Sequence, residues 1–542
     1  MKYTLILVLY GLLAAPLCGQ EVLTTAERSD YRSTSTYGEV VHFMNALTKK
    51  NDHARMDYIA RSVEGRNVPL VIIADPMPSS FKELEKDERI VVYLQANIHA
   101  GEVEGKEATQ MLARDLLNGD LPEKILDNVI VLICPIVNPD GNEKFSTENR
   151  TNQNGPVNGV GVRYNGQFLD MNRDAVKLET PELRGVVKEI FNTWDPAITV
   201  DCHTTNGSFH EEPVTFAWMI NPNGSRILIN YMRDRMMPSV QDTLWNKYGV
   251  ENIYYGEFVD QLAMEKGWLY DASEPRYMVN YTGLRNRLAI LNENYVYADF
   301  ETRVNGCYHL LLSILEYAAE HMQEIKGMLS ETDQRYTDRH VNLPEADSFA
   351  IEYEVRPVPE KISIKAIETD TIPGVRGYWR YRQGKGRFTI TVDYYADYYS
   401  TTSIKVPFLY LLSVPDPRIL DLLRTHGIKI ERLDSEMVLE VERFNVSSFE
   451  GGNMPFQGHY LTRISGEFET VSQTFPEGTY LVRTSQPLGN LAVYLLEPQS
   501  NDGLVTWNFF DQYIVKQWSP SFNPYPVYKL MPVIKLKSSE DK

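Results

Sequence analysis

Residues 89–102 read RIVVYLQANIHAGE: an almost unbroken β-branched and aromatic run from Arg89 to Asn97, then a short turn carrying a histidine and a glutamate. Such a run, bounded by turn residues, predicts a strand buried on both faces. Three further runs share its texture: Val129–Val137 (VIVLICPIV), Ala197–Cys202 (AITVDC) and Leu288–Asn292 (LAILN). Helix-period stretches lie among them, at Glu104–Leu117, Pro181–Asn192 and Gly306–Leu329. From about Tyr58 to Met328 the chain therefore predicts an α/β domain, a sheet covered by helices.

Outward from that block the organisation is legible in coarser terms. The chain has 542 residues, enough for two to four domains. After Leu329 the polar stretch Ser330–Asp347 carries no sustained apolar period, and residues 331–347 are expected to link residues 20–330 to a second unit, 348–542. In that unit, Gly377–Tyr399 and Gly478–Val482 are aromatic-rich segments beside Gly or Pro, while Arg418–Gly427 has helical spacing. A β-rich α+β domain is expected there. At the front, the apolar run Thr4–Leu17 is too short to cross a bilayer core of roughly 30 Å. It reads as a secretory signal over residues 1–19, so the mature chain is expected to be exported, periplasmic or secreted, with no transmembrane span once the signal is removed. Lipid anchoring through Cys18 fits less well, because bulky Leu17 precedes it.

Composition narrows the function classes. With 43% hydrophobic and 23% charged residues, wholesale disorder, collagen and a membrane bundle are excluded. Lys+Arg number 54 against 73 Asp+Glu, a net charge of -19, which repels phosphate backbones, so nucleic acid is not an expected partner. Beyond the signal only Cys134, Cys202 and Cys307 remain. Three cysteines cannot form a four-cysteine zinc site, and any metal must be held by His and carboxylates.

The candidate ligands follow. His99 and Glu102, three apart at a strand-to-helix turn, can point at one ion. The same spacing recurs at His321 and Glu324, away from any strand end, and is read there as a solvated helix face. Context separates the two pairs: His203 follows the run AITVDC and Glu293 follows LAILN, placing each candidate at the carboxyl end of a strand, where open α/β sheets build sites. If the strands are neighbours, His99, Glu102 and His203 supply two nitrogens and one carboxylate to one Zn²⁺ and leave a position for water. Glu293 is then the general base. Asn172 and Arg173, in LDMNRD, put an amide beside a guanidinium suited to gripping a carboxylate.

These residues resemble the zinc carboxypeptidases of the carboxypeptidase A type. The resemblance is carried, in order, by SVEGR (Ser62–Arg66), HAGE (His99–Glu102), NPDG (Asn138–Gly141), ENR (Glu148–Arg150), DMNRD (Asp170–Asp174), DCH (Asp201–His203) and the Glu293 strand end. It spans roughly the first 310 residues. It implies an eight-stranded mixed sheet flanked by helices, zinc on His99, Glu102 and His203, Glu293 as catalytic base, and Asn172 and Arg173 on the terminal carboxylate of a peptide substrate. One departure matters. The family's oxyanion-stabilising Arg lies three residues past the Arg of ENR, where this chain has Gln153, so stabilisation of the tetrahedral intermediate is expected to weaken unless Arg150 or Arg163 from the same loop substitutes. Of the tyrosines preceding Glu293, Tyr281 is taken as the one that closes over substrate, ahead of Tyr270 and Tyr277.

The expectation is a secreted zinc metallocarboxypeptidase cleaving an amide next to a free carboxylate in peptides or cell-wall peptides. Two alternatives stand beside it: a zinc amidase or deacylase acting on small acylated amino acids, and a catalytically decayed peptide- or glycan-binding protein. No motif speaks to oligomeric state.

Overall fold

A computed structural model describes residues 22–541 apart from 80, 85, 122–123 and 343–346. The expected signal, residues 1–19 with Cys18, lies outside the described residues. Ten strands precede residue 300: β1 Ala54–Arg61, β2 Asn67–Ile73, β3 Ile90–Ala96, β4 Val129–Cys134, β5 Ile198–Thr205, β6 Val214–Trp218, β7 Asn252–Tyr254, β8 Glu257–Phe258, β9 Trp268–Leu269 and β10 Leu288–Tyr295. Eight of them form one mixed sheet in the order β1-β2-β4-β3-β5-β10-β6-β7. β3 runs parallel to β4 and β5, β5 parallel to β10, and β10 antiparallel to β6.

The continuous apolar runs become strands buried on both faces because both faces are covered. Alternate residues of β3 enter different cores. Val92 and Leu94 pack with Leu112 and Leu311, from helices Glu104–Asn118 and Phe300–Glu320. Val91 and Tyr93 pack with Val186, Ile190 and, from the C-terminal half, Ile419 and Leu491. The second core is thus shared between the two halves of the chain.

Some boundaries differ from expectation. β5 and β10 run on to Thr205 and Tyr295, so His203 and Glu293 stand within strands, and Glu293 lines a cleft. The helix expected over Gly306–Leu329 is two, Phe300–Glu320 and Met322–Thr337, meeting at non-helical His321. The polar stretch expected as a linker is helical through Thr337 and again over Arg339–Asn342. It packs rather than dangles: Arg339 is fully buried and donates to Thr484 O at 3.1 Å.

Beyond it, β11 Ser348–Pro357, β12 Ile362–Thr371, β13 Tyr381–Val392 and β14 Tyr394–Lys405 confirm the β-rich texture. The sheet β11-β14-β9-β8 joins strands of both halves, with β14 parallel to β9. A seven-stranded sheet follows, dominated by the long hairpin Met437–Gly451/Thr462–Phe475. Among the described residues no helix is long and apolar enough to cross a membrane.

Candidate metal centre and its cleft

The turn after β3 is built by its own side chains. Asn97 adopts a left-handed conformation, φ 63°, and its amide donates to Ala100 O at 3.3 Å and Glu102 O at 3.0 Å. Glu102 N–H closes on His99 O at 2.9 Å. Gly101 is required by a close approach: a Cβ there would lie 2.7 Å from Arg150 Cδ. His99 and Glu102 are thereby held side by side, both buried.

His203 arrives from the neighbouring strand. Asp201 and His203, two apart on β5, share a face, and Glu293 of β10 is in parallel register with His203. Three donor atoms converge: His99 Nδ1 and His203 Nδ1 are 3.1 Å apart, His203 Nδ1 lies 3.1 Å from Glu102 Oε2, and His99 Nδ1 3.2 Å from the same oxygen. These three residues are the group of His and carboxylate side chains, among the described residues, whose ligand atoms all fall within 4.8 Å of one another. The outer nitrogens are also occupied. His99 Nε2 is 2.9 Å from Asp170 Oδ1, and His203 Nε2 is 2.9 Å from Asp201 Oδ2. Carboxylates on the far nitrogens keep the protons there, leaving both Nδ1 lone pairs facing inward, an arrangement that suits a metal ligand.

The electrostatics call for a cation. Although burial opposes it, the imidazoles and Arg150 hold the Glu102 carboxyl well below its ordinary range. Burial lowers His203, but Asp201 and Glu102 outweigh it and leave the ring raised well above its ordinary value. Asp170 is likewise held ionised by His99, Arg163 and Arg173, against burial. Burial, with Glu102 adding repulsion and His203 opposing, pushes Glu293 up to about 8.

His99 and Glu102 open into a cleft of about 250 Å³ lined also by Arg150, Arg163, Asn172, Arg173, Tyr277 and Glu293. Asp170 accepts from Asn172 N–H at 3.0 Å, fixing the turn that presents Asn172 and Arg173. Arg173 donates to Asn172 O at 2.8 Å and its guanidinium lies 4.4 Å from the Tyr277 ring centroid. Arg150 Nη1 donates to Glu102 Oε1 at 2.9 Å, and Arg163 Nη1 stands 3.6 Å from the same oxygen. Both candidate substitutes for the missing arginine therefore reach the metal centre.

Tyr281 does not. It is fully buried, its hydroxyl 2.8 Å from His426 Nδ1 and 3.2 Å from Arg285 Nη1, so the expected substrate-closing role is corrected: Tyr277 and Tyr270 line the cleft. The reason is helical phase, since Tyr281 lies on helix Met278–Leu284 and faces the core shared with the C-terminal half. The pair His321–Glu324 is a partly exposed contact at 3.4 Å, apart from the cleft as expected, but it spans the break between two helices rather than the face of one. Sequence reading assigned no role to Asp170 or Asp201, although the alternation D-x-H on a strand was a usable signal for the latter.

Residues 40–219 match the family model described as zinc carboxypeptidase. That span contains His99, Glu102, Asn172, Arg173 and His203 and stops before Glu293, whose association rests on the register of β10 with β5. Carboxypeptidase 2 of Trichophyton rubrum is 26% identical over 518 residues, covering 90% of this chain and 87% of that one. Carboxypeptidase 2 of Trichophyton tonsurans is 25% identical over 522 residues, with the same coverage of 90% and 87%. Among solved structures, a metallo-carboxypeptidase from Burkholderia cenocepacia aligns with a TM-score of 0.38 at 18% identity, over 53% of this chain and 70% of that one.

Proposed function

We propose, from the premise that this chain is a zinc metallopeptidase with a zinc carboxypeptidase domain at residues 40–219, that it hydrolyses the C-terminal amide bond of peptides outside the cytoplasm. The observation that carries this is the triangle of His99 Nδ1, Glu102 Oε2 and His203 Nδ1, with edges of 3.1–3.2 Å. Tetrahedral bonds of about 2.0–2.1 Å imply edges of roughly 3.3 Å, so the donor set fits one Zn²⁺.

Zinc, when bound in such a site, polarises a carbonyl and lowers the pKa of water to about 7. Glu293, which a cation held beside it would keep ionised against the burial that raises it, accepts the proton of the attacking water and passes it to the leaving amine. Arg150 and Arg163 donate to the oxygen of the scissile carbonyl as negative charge develops there. Asn172 and Arg173 hold the substrate's terminal carboxylate, and Tyr277, stacked on Arg173, orders that guanidinium. Asp170 and Asp201 keep the imidazoles in the tautomer that ligates. Export is supported by the signal-like residues 1–19.

The test compares peptides with a free and an amidated C-terminus. Turnover of the free form alone, lowered by about 10²–10⁴ in Glu293→Gln, is expected. Equal turnover of amidated peptide sinks the exopeptidase reading and favours an amidase or deacylase.

A further inference from the structure

The hairpin Met437–Gly451/Thr462–Phe475 ends in a turn that reaches back to the metal centre. Phe456 and His459 bridge its neck, with N–O distances of 2.7 and 3.0 Å, and the two residues between them, Gln457 and Gly458, have φ of 52° and 83°. A two-residue turn with both central residues left-handed is occupied at least cost by Asn-Gly or Gly-Gly. Glutamine lacks the short local hydrogen bond that makes Asn tolerable there, and its Cβ is crowded. A residue kept at a conformational cost directs attention to its side chain.

That side chain is engaged. Gln457 Oε1 accepts a 2.8 Å hydrogen bond from the N–H of Asp170, 287 residues earlier. Asp170 orients three parts of the cleft at once. Its Oδ1 meets His99 Nε2 at 2.9 Å and Asn172 N–H at 3.0 Å, and its Oδ2 accepts from Arg163 Nε at 2.8 Å. A shift of the Asp170 backbone therefore displaces a metal ligand, an oxyanion donor and the carboxylate clamp together. The turn is braced where it lands: His459 Nε2 lies 2.9 Å from Glu179 Oε1 and Nδ1 3.0 Å from Asn508 Oδ1. Phe456 stacks on Trp507 at 6.2 Å, and Arg276, adjacent to Tyr277, covers both rings.

We propose that Gln457 is a positioning residue for the metal centre, through which the C-terminal half sets the orientation of Asp170 and hence of His99, Arg163 and the Asn172–Arg173 clamp. The inference rests on the zinc-hydrolase reading above.

The full-length chain carrying Gln457→Gly tests it, because glycine relieves the turn while deleting the acceptor. The variant is expected to melt no lower than the parent. The peptide containing Asp170 should exchange its amide hydrogens faster, zinc should pass to a chelator about fivefold faster, and kcat/KM should fall about fivefold, mostly in kcat, the worth of one neutral hydrogen bond. Gln457→Asn, also favoured in the turn but one methylene short, should behave alike and decides the matter if the glycine variant melts low. Unchanged exchange at Asp170 with unchanged kcat/KM overturns the role. A parent that holds no zinc and turns nothing over defeats the hydrolase reading instead, and exchange at Asp170 then still decides whether Gln457 fixes that backbone.

Discussion

Gln153 Oε1 accepts a 2.7 Å hydrogen bond from Arg150 Nε, and with that bond made the guanidinium presents Nη1 to Glu102 Oε1 at 2.9 Å and Nη2 to Thr204 O at 2.9 Å. The residue standing where the resembled family has its oxyanion arginine thus steers a different arginine into the cleft. On the proposed mechanism, cationic stabilisation is then relocated to Arg150 rather than lost. Arg150→Gln is expected to lower kcat by about 10²–10³, as removal of one oxyanion donor does. Gln153→Ala should cost about tenfold in kcat, with KM nearly unchanged, because the donor survives but its orientation loosens. Steady-state kinetics on a C-terminally free peptide check both; parental kcat in Gln153→Ala would detach it from Arg150.

Glu293 and the three proposed metal ligands separate by what each loss removes. Glu293→Gln should bind zinc in parental amount while kcat falls by about 10²–10⁴, the usual worth of a general base. His99→Ala and His203→Ala should lose zinc and activity together, since two of three protein donors cannot close the site. Chelation of the parent should abolish turnover reversibly and lower Tm, because an ion bound only by the folded state stabilises it by mass action. Metal analysis beside kinetics and melting distinguishes these patterns.

Arg173 and Tyr281 were both expected to touch substrate, and their surroundings now predict opposite phenotypes. Arg173 lines the cleft, so Arg173→Ala should raise KM for free-carboxylate peptides by about 10–100-fold, the loss of a charge-assisted pair of hydrogen bonds. Tyr281→Phe should leave kcat and KM near parental values but reduce stability by about 1–3 kcal/mol, the penalty for leaving buried His426 Nδ1 and Arg285 short of a partner. Kinetics and denaturant unfolding on the same two proteins test the contrast.

The strand core and the convergence of His99, Glu102 and His203 were legible because each is carried by local pattern. β3 and β4 are nearly continuous apolar runs and β5 and β10 begin as such, with His99 and Glu102 just past the end of β3 and His203 and Glu293 where the apolar parts of β5 and β10 give way to polar residues. What escaped depends on contacts distant in sequence. Tyr281 could not be told from Tyr277 by spacing, since the choice is made by His426, 145 residues away. Gln457 has no signature at all, because its partner is a backbone N–H. The stretch 331–342 looked like a connector because its polar residues are satisfied by packing against the C-terminal half: Arg339 reaches Thr484 O, and Asn490 donates to Asn223 O at 2.6 Å and to Tyr336 Oη at 3.2 Å.

His426 makes the joint between the halves sensitive to acid. It is fully buried, with Nε2 2.9 Å from Val176 O and Nδ1 2.8 Å from the Tyr281 hydroxyl. The first contact needs a proton on Nε2 and the second leaves Nδ1 as acceptor, so the ring is neutral. Burial, with Arg285 and Arg184 nearby and Val176 O opposing, lowers it from 6.5 to about 3. Between those values the unfolded chain binds more protons than the folded one, so stability rises with pH. The contribution is complete above the unfolded value of 6.5 and drains away as pH falls toward about 3, at up to about 1.4 kcal/mol per pH unit. Glu182 and Asp502 work the other way: burial raises each to about 7, which favours the folded state at lower pH. The parent curve alone therefore mixes signs, and the difference between parent and His426→Gln isolates the histidine. The variant should be less stable at pH 7 and the gap should shrink steadily as pH drops from 6.5 toward 4, read by urea midpoints across that range. A gap independent of pH would show that His426 does not titrate on unfolding.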